Sequence, residues 1–313
     1  MTSPAWSPPD GSDGARTRGE GSRGGAPLWL ELEGAVNARD VGGLPTVDGR
    51  TTRPGVLLRA DNLQDLTDAD VRRLVDELGL RTVVDLRSTG EVHLEGPTPL
   101  TGRVAHHQLS LIPEWDGEPD REEVERAVQR AVVSREAEPL AGADVEKALP
   151  SLSDFSPRER KDPTDLVSHY VGYVETAGAN VARALKVLAD PDSGTTLVHC
   201  AAGKDRTGTV VALALSLAGV QREAVLEDYL RSAERAGAIL ARLQATTSYG
   251  PSLAHVTVAD ITPQRASMEG FLDHADSAYG GVHGLALSLG VTEEEIARIG
   301  VRLLGMSPAV RGS

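Results

Sequence analysis

Apolar positions along the chain fall into short β-branched runs separated by helix-length amphipathic stretches. Order is expected to begin at Leu28-Trp29-Leu30-Glu31-Leu32. Pro54-Gly55-Val56-Leu57-Leu58-Arg59-Ala60 predicts a strand that leaves Arg59 at its end. Thr82-Val83-Val84-Asp85-Leu86-Arg87 predicts a buried strand with a carboxylate at its C-terminal end, and residues 104–111 and 195–199 predict two more. Between them, Thr67-Asp68-Ala69-Asp70 opens a helix with an N-cap and early carboxylates; Leu74 and Leu78 continue its apolar face, and Gly79 ends it. A long helical pattern over 166–188 carries Tyr170, Tyr173, Val174, Val181, Leu185 and Leu188 on one side. Thr209 to Leu215 reads as a buried helix with Gly219 as its stop, followed by helical patterns near 223–230, 235–243, 264–279 and 292–304. Thr292-Glu293-Glu294-Glu295 opens the last as a capping box. No repeat of fixed period is visible. Strands interleaved with helices predict an α/β layered domain whose central sheet is mainly parallel and flanked by helices.

Composition narrows this picture. The chain has 313 residues, a hydrophobic fraction of 40% and only two Phe, so Leu, Val and Ala must fill the core. A formal net charge of −14 argues against a general nucleic-acid or anionic-membrane surface, so any anion site must be a local basic pocket. A single cysteine excludes an internal disulfide and fits a reducing compartment. No apolar run reaches the ~18–20 residues of a membrane-spanning helix, which predicts no integral membrane association. The histidines show no metal-ligand spacing, and no metal or cofactor is expected. His106 and His107 are neighbours on a strand and point to opposite faces, which makes that pair a poor metal site. Residues 1–27, rich in Pro, Gly, Ser and Arg, are expected to be a disordered tail without the apolar core of a secretory signal. Cytoplasm is the default location; export without such a signal stays open, as does the oligomeric state. Residues 118–162 are the least regular part, with an apolar stripe at Val124, Ala127, Val128, Ala131 and Val132, and breakers at Pro139, Pro150, Pro157 and Pro163.

The chemistry concentrates in Thr195-Thr196-Leu197-Val198-His199-Cys200-Ala201-Ala202-Gly203-Lys204-Asp205-Arg206-Thr207-Gly208. A strand, a tight loop and a helix in that order make an anion cradle: successive backbone N–H groups point inward, and the helix N-terminus adds partial positive charge. Such surroundings favour the thiolate of a cysteine, the form that attacks phosphorus. Arg206 offers a planar fork for two equatorial phosphoryl oxygens. The N–H groups of Ala201, Ala202, Gly203 and Lys204 serve the remaining oxygens as charge spreads in the transition state. Gly203 lets the backbone turn, and Thr207 is expected to donate a hydroxyl hydrogen bond to the Cys200 sulfur.

His199-Cys200-x-x-Gly203-x-x-Arg206-Thr207-Gly208 resembles the signature of the cysteine-based protein tyrosine phosphatases. Its Gly203-Lys204-Asp205-Arg206 version is similar to that of the bacterial subfamily acting on phosphotyrosine, phosphoserine/threonine and phosphoinositides. Asn37-Ala38-Arg39-Asp40-Val41-Gly42-Gly43 resembles the family's N-terminal signature, and Tyr229-Leu230-Arg231-Ser232 another of its stretches. The resemblance implies a tyrosine-phosphatase-like fold in one domain over 28–313, with a helical lid insertion at about 115–163; a passive surface insertion is the alternative. It implies hydrolysis through a cysteinyl phosphate, with a phosphorylated protein or phosphoinositide as partner and no cofactor. Cys200, Arg206, Asp205 and Asp85 are the expected catalytic residues, and Ala201, Ala202, Gly203, Lys204, Thr207 and Arg59 the expected substrate-binding ones. Arg59 is placed by the resemblance near the floor of the site, with an ion pair to a core carboxylate as the other reading. Lys204, as an extra cation, would favour substrates carrying several phosphates. For the acid that protonates the leaving oxygen, Asp205 leads, with Asp85, which matches the family's Asp-Leu-Arg-Ser position, and Asp116 as rivals; the other readings are a cap of the following turn for Asp85 and a structural carboxylate paired with Lys204 or a neighbouring arginine for Asp205. A phosphate-binding pseudophosphatase usually lacks the nucleophile or the arginine; both are present here.

Overall fold

In the computed structural model, the described residues are 28–112 and 163–305. The expected tail at 1–27 and the expected lid insertion up to residue 162, including Asp116, lie outside them. Six strands form one sheet: β1 (Leu28–Trp29), β2 (Arg39–Asp40), β3 (Leu57–Ala60), β4 (Leu80–Asp85), β5 (Ala105–Gln108) and β6 (Thr195–His199). Their order is β1-β2-β3-β6-β4-β5. The pairs β3–β6, β6–β4 and β4–β5 are parallel, and β1 and β2 add an antiparallel edge.

The apolar runs of the central strands are continuous because both faces of the sheet are covered. Successive side chains alternate. Leu57, Val84 and Val198 enter one core cluster, while Leu58, Val83 and Leu197 enter the other. The second cluster is closed by α1 (Asp68–Arg72), which begins in a Thr67–Asp70 capping box and runs into a π-helical turn over Arg73–Glu77. The first cluster is closed by α3 (Pro163–Thr176), α4 (Gly178–Ala189), α5 (Asp205–Leu217), α6 (Arg222–Leu230), α10 (Arg265–Tyr279), α11 (Val282–Ser288) and α12 (Glu293–Leu304).

Three differences from the expected elements have local causes. The single helical pattern over 166–188 is two helices, because Ala177 leaves helical geometry at φ −121°, ψ 26°. Gly178 follows it, where a Cβ would press on the Leu289 side chain, and glycine in a helix interior is unfavourable by ~1 kcal/mol. The helix after the cysteine loop begins at Asp205 rather than Thr209, so Arg206 and Thr207 lie in its first turn. A helix not anticipated, α2 (Thr89–Glu95), follows β4 and opens with a reciprocal Ser88–Glu91 capping box. Three short helices complete the fold: α7 (Ala236–Ala245), α8 (Gly250–Leu253) and α9 (Val258–Ile261). Ile239, Leu243, Leu253 and Ile261 from these helices, with Tyr249 between α7 and α8, pack on Ala201 and Ala202. Among the described residues the cysteine loop is therefore covered from the C-terminal half of the chain.

Candidate active site

Parallel pairing brings Ala60, His199 and Asp85 into one row across β3, β6 and β4. The chain leaves this row through Cys200–Lys204 and enters α5. Three carbonyls of the loop point outward and are taken: Asn62 N–H donates to Ala201 O (3.0 Å), Asn37 Nδ2 to Ala202 O (3.0 Å) and Arg59 Nη2 to Gly203 O (2.8 Å). In a trans peptide the next N–H points opposite to its carbonyl. Pinning these carbonyls therefore turns the N–H groups of Ala202, Gly203 and Lys204 toward the concave side. Gly203 is required at this point: its φ is +65°, and a Cβ would fall on the backbone carbonyl of Ala60. Cys200, Lys204 and Arg206 are all buried.

The loop rests on a layer of buried charge. Asp228 accepts from Arg39 Nε (2.9 Å) and Arg59 Nη1 (2.5 Å), and Arg39 Nη1 donates to Asn37 Oδ1 (2.8 Å). Burial would raise the Asp228 carboxyl, but the two guanidinium groups outweigh it and hold it below its ordinary value. Burial, with Arg59 alongside, pulls Arg39 down to about 10, against the opposing effect of Asp228. Asp40 accepts from the N–H groups of Gly42 (2.8 Å) and Gly55 (2.5 Å). Arg59 both binds the Gly203 carbonyl and pairs with the buried Asp228 carboxylate.

Arg206 is gripped from behind. Its Nη1 donates to Glu91 Oε2 (2.6 Å) and Leu86 O (3.3 Å), and its Nη2 to Glu91 Oε1 (2.9 Å) and the Tyr249 hydroxyl (3.0 Å). Tyr249 in turn donates to Glu91 Oε1. Burial works against charge on Arg206, yet Glu91 keeps its guanidinium well above the usual value. Glu91 stays below the usual glutamate value despite its burial, chiefly through Arg206. Neither Glu91 nor Tyr249 was anticipated. Ser88-Thr89-Gly90-Glu91 is a capping-box pattern, which would have placed Glu91 at a helix start but not on Arg206.

The remaining expected residues divide. Asp205 accepts from the Tyr170 hydroxyl at 2.6 Å and lies 3.5 Å from Lys204 Nζ. Lys204 Nζ donates to Ile261 O at 2.6 Å, tying the loop to α9. The hydrogen bond expected from Thr207 to the Cys200 sulfur is not formed: Thr207 Oγ1 is buried without a partner among the described residues. Asp85 is fully buried, and Arg87 binds it through Nη2 (2.6 Å) and Nε (2.9 Å). Burial alone would raise this carboxyl; His199 and Arg87 together drive it well below the carboxylate range. His199 lies with Nε2 at 3.5 Å from Asp85 Oδ2, and burial above all pulls its imidazole down to about 4.

The histidines were expected to form no metal-ligand group, but β4 lies between β5 and β6, and this brings Asp85, His106 and His199 together. Their ligand atoms lie within 4.8 Å of one another. The Arg87 guanidinium already occupies the carboxylate, so a second cation there would sit against it.

A family model described as the tyrosine phosphatase family matches residues 30–305. The triple specificity protein phosphatase PtpB of Mycobacterium tuberculosis is 29% identical over 286 residues, covering 88% of this chain and 99% of the relative. A tyrosine-protein phosphatase of Nostoc commune is 27% identical over 256 residues, covering 79% of this chain and 73% of the relative. The chain belongs to the tyrosine phosphatase family, and it is a protein-tyrosine-phosphatase.

Proposed function

We propose that this phosphatase works through a cysteinyl phosphate formed on Cys200. Its Sγ attacks phosphorus, the bond from phosphorus to the ester oxygen breaks, and the leaving oxygen takes a proton from Asp205. Water then attacks phosphorus, the sulfur–phosphorus bond breaks to return the thiolate, and the proton released by water passes to the Asp205 carboxylate. Arg206 and the N–H groups of Ala202, Gly203 and Lys204 bind the phosphoryl oxygens throughout. The observation that carries this reading is the outward pinning of the carbonyls of Ala201, Ala202 and Gly203 beside Cys200 at the start of α5.

Asp205 is favoured over Asp85 as the acid because its side chain keeps 13% exposure at the helix start, whereas Asp85 is sealed by Arg87. Phosphotyrosine proteins are the first substrate class. Phosphoserine, phosphothreonine and phosphoinositides are further ones, supported by the Gly203-Lys204-Asp205-Arg206 sequence; the mycobacterial relative is named a triple specificity protein phosphatase. A second phosphate reaching Lys204 would share its ammonium with Ile261 O, which takes one of its three donors.

Release of phosphate from para-nitrophenyl phosphate by the native protein, abolished in Cys200→Ser, tests the mechanism; undiminished release by that variant refutes it. A panel of phosphopeptides and phosphoinositides on one preparation then ranks the substrates.

A further inference from the structure

A guanidinium group has five N–H donors, two on each terminal nitrogen and one on Nε. In Arg206 all four terminal ones are spent: on Glu91 twice, on Leu86 O and on the Tyr249 hydroxyl. Nε is the one donor of Arg206 without a protein partner among the described residues. Holding two phosphoryl oxygens takes two parallel N–H groups. One terminal contact must therefore yield before Arg206 can present its fork.

The four contacts differ in what they resist. Glu91 is buried, forms a charged pair with Arg206 and also accepts from Ser88 N–H at 2.7 Å. Breaking it would leave two buried charges uncompensated. Leu86 O is backbone at the end of β4 and accepts at 3.3 Å from Nη1, the nitrogen remote from a grip through Nε and Nη2. Tyr249 is the neutral partner, and it sits on Nη2. Burial and the Glu91 charge keep its phenol well above its ordinary value, so it stays protonated and accepts from Arg206 only as a neutral hydroxyl. A phosphoryl dianion is the stronger acceptor for a guanidinium.

We propose that Tyr249 is a positioning residue whose hydroxyl competes internally with the phosphoryl group for Nη2 of Arg206. The proposal rests on Cys200–Arg206 being the phosphate site. In the free protein Tyr249 holds the fork in plane and satisfied; in the complex the substrate takes its place. Tyr249 stands between α7 and α8, its ring packed in the cluster that covers Ala201 and Ala202, and its carbonyl accepts from Ser252 Oγ at 2.9 Å. Filling the site therefore loosens the turn at 249–253. Binding carries the cost of displacing the hydroxyl, so the apparent affinity for phosphate is lower than that of the open fork.

Tyr249→Phe removes the hydroxyl and keeps the ring. Calorimetric titration with inorganic phosphate is expected to show affinity raised at least about threefold over native protein, with KM for para-nitrophenyl phosphate falling in parallel. A tyrosine that merely supports the fold would weaken both. Unchanged or weakened phosphate binding in Tyr249→Phe protein that melts as one cooperative transition overturns the competition. Hydrogen exchange on the native protein tests the same displacement without a variant: saturating phosphate should speed exchange at 249–253, and unaltered or slowed exchange there overturns it. Native protein that binds phosphate but releases none from para-nitrophenyl phosphate would refute the catalytic reading and leave this test intact.

Discussion

The Tyr170 hydroxyl donates a 2.6 Å hydrogen bond to Asp205 Oδ1, joining α3 to the residue that opens α5. The same hydroxyl lies 2.8 Å from that of Tyr229 on α6, so three helices are linked through the Tyr170 hydroxyl. Burial and the Asp205 charge hold Tyr170 well above its ordinary value, so it remains a donor across the working pH range. Asp205 is thereby aimed by protein contacts rather than left free on a mobile loop.

For the proposed acid, leaving-group dependence is the decisive measurement. General acid catalysis contributes ~10²–10⁴-fold and matters most for poor leaving groups. Asp205→Asn should slow phenyl phosphate turnover by at least ~10²-fold and para-nitrophenyl phosphate turnover far less, and should remove the basic limb of the kcat–pH profile. Tyr170→Phe removes a donor that favours the ionised carboxylate, so the basic limb should move to higher pH. Equal slowing of both substrates by Asp205→Asn would pass the role to another group.

Arg206→Lys keeps the charge and loses the fork. Transition-state stabilisation should fall by at least ~2–3 kcal/mol in kcat/KM. Glu91, which receives two parallel bonds from Arg206, would retain at most one. Near-native kcat/KM would remove Arg206 from the phosphoryl site.

Asp228→Asn leaves Arg39 and Arg59 buried beneath the loop without their shared carboxylate. Removing one partner of a buried charge pair costs ~3–5 kcal/mol. Urea unfolding should show a loss of that size. Activity should also fall in the folded fraction, because Arg59 holds the Gly203 carbonyl. Stability within ~1 kcal/mol of native would show that the arginines find other compensation.

Stability should fall on acidification in two stages. His199 is held down to about 4, against ~6.5 for an unperturbed imidazole. The unfolded chain therefore takes up this proton first, and stability drops as pH falls from ~6.5 to about 4. Asp228 and Asp85 are depressed carboxylates, so their contribution is whole above the unfolded value near ~3.9 and is lost below it as pH falls through their folded values. Melting temperature against pH should show both slopes, and His199→Gln should reduce the upper one.

Cys200 is the chain's one cysteine, so oxidation has no intramolecular thiol to trap a sulfenic acid. Peroxide should inactivate the protein, phosphate should protect it, and no intrachain disulfide should form at any dose. Activity that survives peroxide would contradict an essential, reactive sulfur at this position.

Much of the fold was legible because its cues are local. Short apolar runs, β-branched in β4 and β6, marked β3, β4 and β6, and capping residues marked α1 and α12. Where local cues were weak, the reading failed. The apolar spacing runs unbroken through Ala177 and Gly178, yet Ala177 leaves helical geometry and a second helix opens at Gly178, where a Cβ would meet the Leu289 side chain. The short helices α8 and α9 carry too few residues for a periodic signal. His106 and His107 are neighbours on β5 as expected, and His107 takes no part in the group that His106 forms with Asp85 on β4 and His199 at the end of β6, which strand order alone brings together.

The sequence by itself determined the chemical parts and their order: a lone cysteine, a turn that only glycine fits, an arginine six residues on, and a helix to polarise them. It did so because a loop of this length has few conformations that place successive N–H groups on one side. The tertiary structure alone decided what each part leans on. Arg206 meets Glu91 across 115 positions and Tyr249 across 43, Arg59 meets Asp228 across 169, and Asp205 meets Tyr170 across 35. No spacing rule encodes such pairs. They arise when parallel pairing sets β3, β6 and β4 side by side and the burial of helix faces on the sheet brings charged groups into a dry layer. There each must find a partner, since an unpaired buried charge would cost more than the fold can supply.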